Sequence, residues 1–273
     1  MILGVSYSVF DGIELLESSI KQIRQHVDFI DVQYQLKSWF GKPIKLKDMQ
    51  TLLDLQNRGL IDSLSLFNNF YELKPINLHI MQSKVFETTK RNSGLDKCSK
   101  KGCTHFMNID VDEFYDSSQF KRAKELIVEN NLETTAVHYL NYITPTLHRG
   151  FAPHLVPFIH KITPAARHTK FQPFFPGVDP TRGIGDESYK RWRIFDKEDI
   201  IMHHMEMIRE DLSTKYEATS RFYLDRARIP ELVSIVEKAA NQETSINFKG
   251  IIYPGAKEDL VLTKVENKFG INI

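Results

Sequence analysis

The sequence predicts an α/β fold, a mostly parallel sheet flanked by helices, followed by a helical C-terminal extension. Short apolar runs alternate with segments of helical periodicity through the first half of the chain, without internal repeats or low-complexity linkers. An acidic cluster, Asp110, Asp112 and Glu113, follows directly on one of those runs, "THFMNI". Such alternation builds parallel strands joined by crossover helices, and sheets of this kind take ligands beyond the carboxyl ends of their strands.

Taken in order, "ILGVSYSV" suits an internal strand and leads through Asp11-Gly12 into a helix. Ile13, Leu16, Ile20, Ile23 and Val27, spaced by three and four, mark its buried face. "VDFIDVQY" reads as the second strand. A helix from about Lys47 closes at Gly59, a residue suited to the left-handed position after a helix, and "LIDSLSLF" is strand-like. Another helical stretch precedes "THFMNI", Ser117-Ser118 caps a helix running to about Val128, and "TTAVHYL" is a further strand. From Pro145 to Arg193 lie seven of the eleven prolines and eight Lys or Arg against three acids, with His148, His154, His160 and His168 as latent charge. Sparse regular structure and a functional loop are expected there. "REDLSTKYEATSRFYLDRAR" and "PELVSIVEKAA" form the helical tail, the second with Pro in its first turn. One domain over residues 1–205, in two halves (1–116 and 117–205), with a helical extension over 206–273, is the simplest partition.

Composition bounds the class. At 273 residues, 41% hydrophobic and 26% charged, the chain has the length and apolar content for a sizeable core. A net charge of +1 favours no class of partner. Cys98 and Cys103 are too few for a zinc site or a disulfide framework, so reduced thiols are expected. The opening "MILGVSYSVFDG" lacks a basic stretch and a long apolar core, and nowhere do eighteen apolar residues follow one another. A cytoplasmic protein with no transmembrane segment, at most lying against a bilayer, is expected.

Three constellations carry candidate chemistry. Asp110 and Asp112 flank Val111, and on an extended backbone residues i and i+2 face one way, so both carboxylates can meet one hard cation such as Mg²⁺ or Mn²⁺. A solvated turn is the bland alternative, but burying "HFMNI" beside unpaired carboxylates is costly, which favours metal and diphosphate binding. "TKRNSG" (Thr89 to Gly94) offers a Lys-Arg pair for phosphate oxygens; in isolation, an exposed helix end is the stronger reading. "IIMHHMEMIR" sets His203 and His204 on a strand, where neighbours point to opposite faces and only one can reach the carboxylates. In "GIGDESYKRW", Asp186 or Glu187 is a candidate general base, with a helix cap nearly as good an account.

Together "SYSVFDGIELLESSI", "VQYQLKSWFGKP", "RGLIDSL", "KRNSGLDKCSKKGCTHFMNIDVDEFYD" and "HHMEMIRED" resemble, in order, GT-A-fold nucleotide-sugar glycosyltransferases, the family-two-like enzymes of bacteria and their phages. The resemblance runs from Ile2 to Lys215. It implies a GT-A, Rossmann-like sheet and a metal-dependent, inverting transfer of a sugar from a nucleotide-sugar donor, UDP-linked, to an acceptor hydroxyl. Asp110 and Asp112 match the Asp-x-Asp motif, with Mn²⁺ or Mg²⁺ as cofactor, and His204 matches the late histidine of the metal shell. Lys90, Arg91 and Asn92 match the element beside the donor. Asp186 or Glu187 stands where the acidic pair supplies the base, in the order Asp-Glu rather than the usual Glu-Asp. The usual aspartate after the second strand is missing, so Gln35 and Tyr7 are assigned to the nucleotide pocket. Arg182, Arg191 and Trp192 are assigned to the acceptor side.

The basic balance of residues 145–193 suggests an anionic acceptor. A surface glycan or glycolipid of lipopolysaccharide or capsule type comes first, made in the cytoplasm with peripheral contact to the inner membrane. The alternative is phage-type glycosylation of hydroxymethylated DNA in the host cytoplasm, with Phe171, Phe174, Phe175 and Trp192 stacking a base. A silent sugar-nucleotide- or calcium-binding module is the other class.

Overall fold

A computed structural model describes residues 1–39, 41–68, 79–169, 174–175, 177–178, 181–218, 229–242 and 262–272. Phe171 and the middle of the tail lie outside the described residues. The fold is α/β and Rossmann-like. Its first half runs β1 (Leu3–Val9), α1 (Ile13–Ile23), β2 (Phe29–Tyr34), α2 (Leu46–Asn57), β3 (Ser63–Leu66), α3 (His79–Lys100) and β4 (His105–Asp110). Then come β5 (Glu113–Tyr115), α4 (Ser117–Glu129), β6 (Thr134–Thr144), β7 (Leu147–Phe151), β8 (Val156–Lys161), β9 (Trp192–Ile194) and β10 (Ile201–His204). The tail holds α5 (Leu212–Ala218), α6 (Ile229–Gln242) and β11 (Thr263–Lys264).

The sheet order is β3-β2-β1-β4-β8-β6-β7-β11, with β9 and β10 also on β6 and β5 on β10. Among the described strands, β5, β7 and β8 run against the rest. The chain passes from β1 outward through β2 to β3, then returns through α3 to β4 on the other side of β1. The order of connection therefore reverses between β1 and β4, where open α/β sheets form a crevice.

The alternation in "LGVSYSV" decides how β1 is sandwiched. Leu3, Val5, Tyr7 and Val9, all with 0% exposure, join the large core cluster with Leu16 and Ile20 of α1 and Phe120 of α4. Gly4, Ser6 and Ser8 occupy the other face and are small, so α3 lies close against them. Lys90, Gly94 and Cys98, four residues apart on one stripe of α3, meet Val9, Ser6 and Gly4 in turn. A Cβ on Gly94 would overlap Ser6 Oγ and stand 2.6 Å from Ser6 Cβ, while one on Gly4 would be 2.7 Å from Cys98 Cβ. The buried Cys98 and Cys103 are free thiols.

Three sequence expectations change. The segment from 145 to 193 contains β7, β8 and the start of β9, because buried Val156, Phe158 and Ile159 hold β8 in the sheet despite Pro157. Pro157 sits opposite Ala136 beside a register shift, a position that tolerates its missing N–H. His160 and His168 are not latent charge: burial pushes His160 down to about 3 and His168 well below the usual range. Asp116, rather than Ser117-Ser118, caps α4, accepting from the Ser118 and Gln119 amides at 2.9 and 3.0 Å. Among the described residues no helix is long and apolar enough to cross a membrane.

Gly94→Ala should destabilise the protein by about 1–3 kcal/mol, the usual cost of overpacking. Urea denaturation checks this, and unchanged stability would mean that α3 stands off β1.

Candidate functional site

A cleft of about 220 Å³ opens at the β1/β4 reversal. Ser8, Phe10 and Asp11 come to it from the end of β1, Gln35, Ser38 and Trp39 from beyond β2, Lys90 and Arg91 from α3, and Asp110 to Asp112 from the end of β4. Arg209 and Lys215 close it from beyond β10. β10 sets this last approach: it pairs parallel with β6, placing His204 opposite Asn141, and antiparallel with β5, placing His204 opposite Glu113. The Met205 amide then donates to the Asp112 carbonyl at 2.7 Å.

Each carboxylate of the motif carries its own cations. Arg182 pairs with Asp110 Oδ2 and, at 2.5 Å, with Glu113 Oε1, while Arg91 Nη2 lies 3.4 Å from Asp110 Oδ2 and also donates to Asn108 Oδ1. Burial opposes the charge on Asp110, but Arg182 and Arg91 outweigh it and hold the carboxyl below its ordinary range. On Glu113 burial prevails over Arg182, and its carboxyl is raised. Asp112 Oδ2 receives Arg209 Nη2 at 2.6 Å and Lys215 Nζ at 2.9 Å, with His204 Nε2 at 3.5 Å. Burial again opposes the charge, and Lys215 and Arg209 overcome it, driving Asp112 well below the usual carboxylate range.

The i, i+2 geometry expected for the two aspartates is modified. Asp110 ends β4 and Asp112 lies in the turn before β5, so the two carboxylates keep separate partners. Among the described residues no group of three or more His, Cys, Asp or Glu side chains is gathered around a metal position. The donor set nevertheless fits a divalent ion in part. His204 Nδ1 lies 2.9 Å from Asn141 Oδ1 and donates to it, which turns the other ring nitrogen, Nε2, towards Asp112 Oδ2. A cation held by these two groups would have to displace Arg209 or Lys215 from that same oxygen. Asp110 must turn from Arg182 to join them.

Other sequence assignments separate. Gln35 lines the cleft, buried, and accepts from Lys90 Nζ at 3.0 Å. Lys90 is not an exposed helix end: it lies within α3 with 4% exposure, its ammonium also donating to Val9 O at 2.8 Å. Tyr7 does not reach the cleft. It is on the large-residue face of β1, hydrogen-bonded to Ser19 Oγ at 3.0 Å, while its neighbour Ser8 lines the cleft. Asn92 clamps the His168 backbone instead, donating to its carbonyl at 3.0 Å and accepting from its amide at 2.8 Å. His203 turns away, to Tyr142 Oη at 2.9 Å, as expected.

Asp186 and Glu187 are not at the cleft. Asp186 accepts from Thr163 Oγ1 and, at 2.8 Å, from the Ser188 amide, tying a turn just beyond β8. β8 ends at Lys161 opposite His105, the first residue of β4, and five residues of strand place that end roughly 17 Å from Asp110. Glu187 is exposed beside it. Of the acceptor-side trio, only Arg182 is at the site. Arg191 donates to Asn131 O and Trp192 lies opposite Thr134, both at the far end of the sheet. Sequence reasoning missed Arg209, Lys215 and Asp11. Arg209 lies within the quoted "HHMEMIRED", and Asp11-Gly12 carried only a turn signal.

No protein-family model matches the chain, and no curated protein matches it. Among solved structures it is similar to TarS of S. aureus, at 12% identity and TM-score 0.45 over 94% of this chain and 46% of that one. TarS 1-349 in complex with UDP-GlcNAc matches at 15% identity and TM-score 0.37, over 52% of this chain and 35% of that one. CMP:2-keto-3-deoxy-manno-octonic acid synthetase complexed with CTP matches at 9% identity and TM-score 0.34, over 59% and 72%. The chain thus spans less than half the length of the first two.

Burial lowers Lys90 from its ordinary 10.5 to about 7. Between those values the unfolded chain holds a proton that the folded one has released, so this group makes stability rise with pH across that window. The stability of Lys90→Met relative to the unaltered chain should therefore fall by on the order of 2 kcal/mol from pH 7 to pH 9. Urea denaturation at both pH values measures this, and a constant difference would contradict the burial.

Proposed function

We propose that the chain is a nucleotide-sugar glycosyltransferase and that the cleft holds the donor diphosphate. The observation that carries this reading is the position of paired, cation-bearing carboxylates at the crevice where strand order reverses between β1 and β4. The cleft is lined by four carboxylates (Asp11, Glu87, Asp110, Asp112) and four cationic chains (Lys90, Arg91, Arg209, Lys215). A diphosphate brings further negative charge, which a divalent ion would offset. Asp112, His204 and, once turned from Arg182, Asp110 would hold Mn²⁺ or Mg²⁺, which supplies Lewis-acid stabilisation of a leaving phosphate oxygen when bound.

The chain's own residues have separable roles in this reading. Arg91 and Lys215 reach the phosphates as they exchange part of their carboxylate contacts for the ligand, an exchange of like for like in a buried setting. Gln35, with Ser38 and Trp39 from beyond β2, takes the nucleotide end; Trp39 is braced by stacking on Phe86 at 5.7 Å. The acceptor contributes a hydroxyl, and a surface glycan or glycolipid is the class the sequence resemblance implies. A DNA acceptor draws less support, because Trp192 and Arg191 lie at the far end of the sheet. Much of the basic segment is also engaged internally: Arg167 with Asp96, Lys161 with Glu133 and Arg193 with Asp199.

Asp110→Asn is the cleaner test of the motif, since Arg182 keeps Glu113 as a partner. Replacing Asp112 strands Arg209 and Lys215 in a buried site, a loss typically of about 3–5 kcal/mol. With Mn²⁺ and a panel of sugar nucleotides, the unaltered protein should release nucleoside diphosphate. Chelator and Asp110→Asn should each suppress release by at least about 100-fold, the scale of losing a principal electrostatic contact. Full turnover in chelator would remove the metal from the reading, and no release from any donor would reject the reading itself.

A further inference from the structure

With Asp186 and Glu187 at the other end of the sheet, the proton of an acceptor hydroxyl must go elsewhere. Asp110 and Asp112 are each held by two cationic chains, and charge compensation of that strength makes them poor bases. Asp11 differs. Among the described residues its nearest cation is Arg209 Nε at 3.5 Å, beyond a good hydrogen bond, and its buried Oδ2 has no hydrogen-bond partner.

The position of Asp11 is built. It lies two residues past β1 and precedes Gly12, whose φ of 71° favours glycine. A Cβ on Gly12 would stand 2.8 Å from both Arg209 Nε and Val111 Cγ2, so this turn is pressed against the one that carries Asp110 and Asp112. The Arg209 guanidinium spans the gap, with Nη2 on Asp112 and Nε towards Asp11. Beside the main cleft lies a second cavity of about 30 Å³, bounded by Lys42 to Lys45 and by the first turn of α2. Phe10, Asp11 and Arg209 line both cavities. A space of that size accommodates a water or a single hydroxyl group.

We propose that Asp11 is the general base of the transfer, facing a donor in the main cleft on one side and the acceptor hydroxyl in the small cavity on the other. This rests on the glycosyl-transfer reading above. The acceptor oxygen forms its bond to the anomeric carbon and gives its proton to the Asp11 carboxylate. The bond from that carbon to the diphosphate breaks, and the nucleoside diphosphate leaves with the electron pair. Arg209 is a positioning residue that fixes Asp11 relative to Asp112.

The test uses the full chain with Mn²⁺ and a panel of UDP-sugars, water serving as acceptor, and compares the unaltered protein, Asp11→Asn and Asp11→Ser. Both variants should lose UDP release by about 10²–10⁴-fold, the usual worth of a general base, while still binding UDP by calorimetry. Sodium azide should restore release in the variants and yield the glycosyl azide, because azide attacks without a proton to lose. It should add little to the unaltered protein. Variants that turn over normally, or whose loss azide does not restore, would overturn the assignment of Asp11 and leave the donor site standing. Absence of UDP release from the unaltered protein with every donor would instead remove the glycosyl-transfer reading on which the assignment rests.

Discussion

The ion pairs on Asp112 are the constraint on which the rest of the site depends. A carboxylate removed from water is tolerated only when paired and hydrogen-bonded, and Asp112 meets that condition with Arg209 and Lys215, two cations from one short segment. Those contacts draw the chain beyond β10 back across the end of the sheet. The same segment also makes exposed pairs, Lys42 with Glu217, Lys45 with Asp211 and Lys47 with Glu210. Exposed pairs contribute about 0–1 kcal/mol each, whereas breaking a buried one costs several times more. The buried pairs therefore fix where the segment lies, and the surface pairs trim it.

Both faces of β1 serve that end of the molecule. The large side chains of one face anchor α1 and α4, while the small ones of the other admit α3 closely enough for Lys90 to reach the end of the strand. Desolvation follows from that approach. The Lys90 ammonium is held between a carbonyl and Gln35 in a position where its charge is marginal near neutral pH. The site thus has two kinds of cation: guanidinium groups that stay charged, and lysines whose charge burial weakens.

Much of the fold was legible because periodicity and turn chemistry are local. The strands ending at Tyr34 and Asp110 and the helix closing at Gly59 follow from spacing that the sequence displays, as does the rule that His203 and His204 face opposite ways. Misplacements arose where face or distance decided the outcome. Tyr7 and Ser8 differ by one residue, and on a strand that difference sends a side chain to the other face. Asp186 was assigned by order along the chain, but the antiparallel β8 carries its neighbours away from the cleft, a reversal that no local pattern marks. Proline content suggested irregular structure across β8, where buried apolar residues outweighed it. Arg209, Lys215 and Asp11 come together only through long-range folding, so no local pattern singles them out.

The most direct test is a crystal structure of the protein grown with UDP and Mn²⁺. The diphosphate is expected in the cleft between the ends of β1 and β4, within reach of Arg91 and Lys215, with the ion bound by Asp112 and His204 and Asp110 turned from Arg182 to join them. Nucleotide bound away from that crevice, with the contacts of Asp110 and Asp112 unchanged, would contradict that placement.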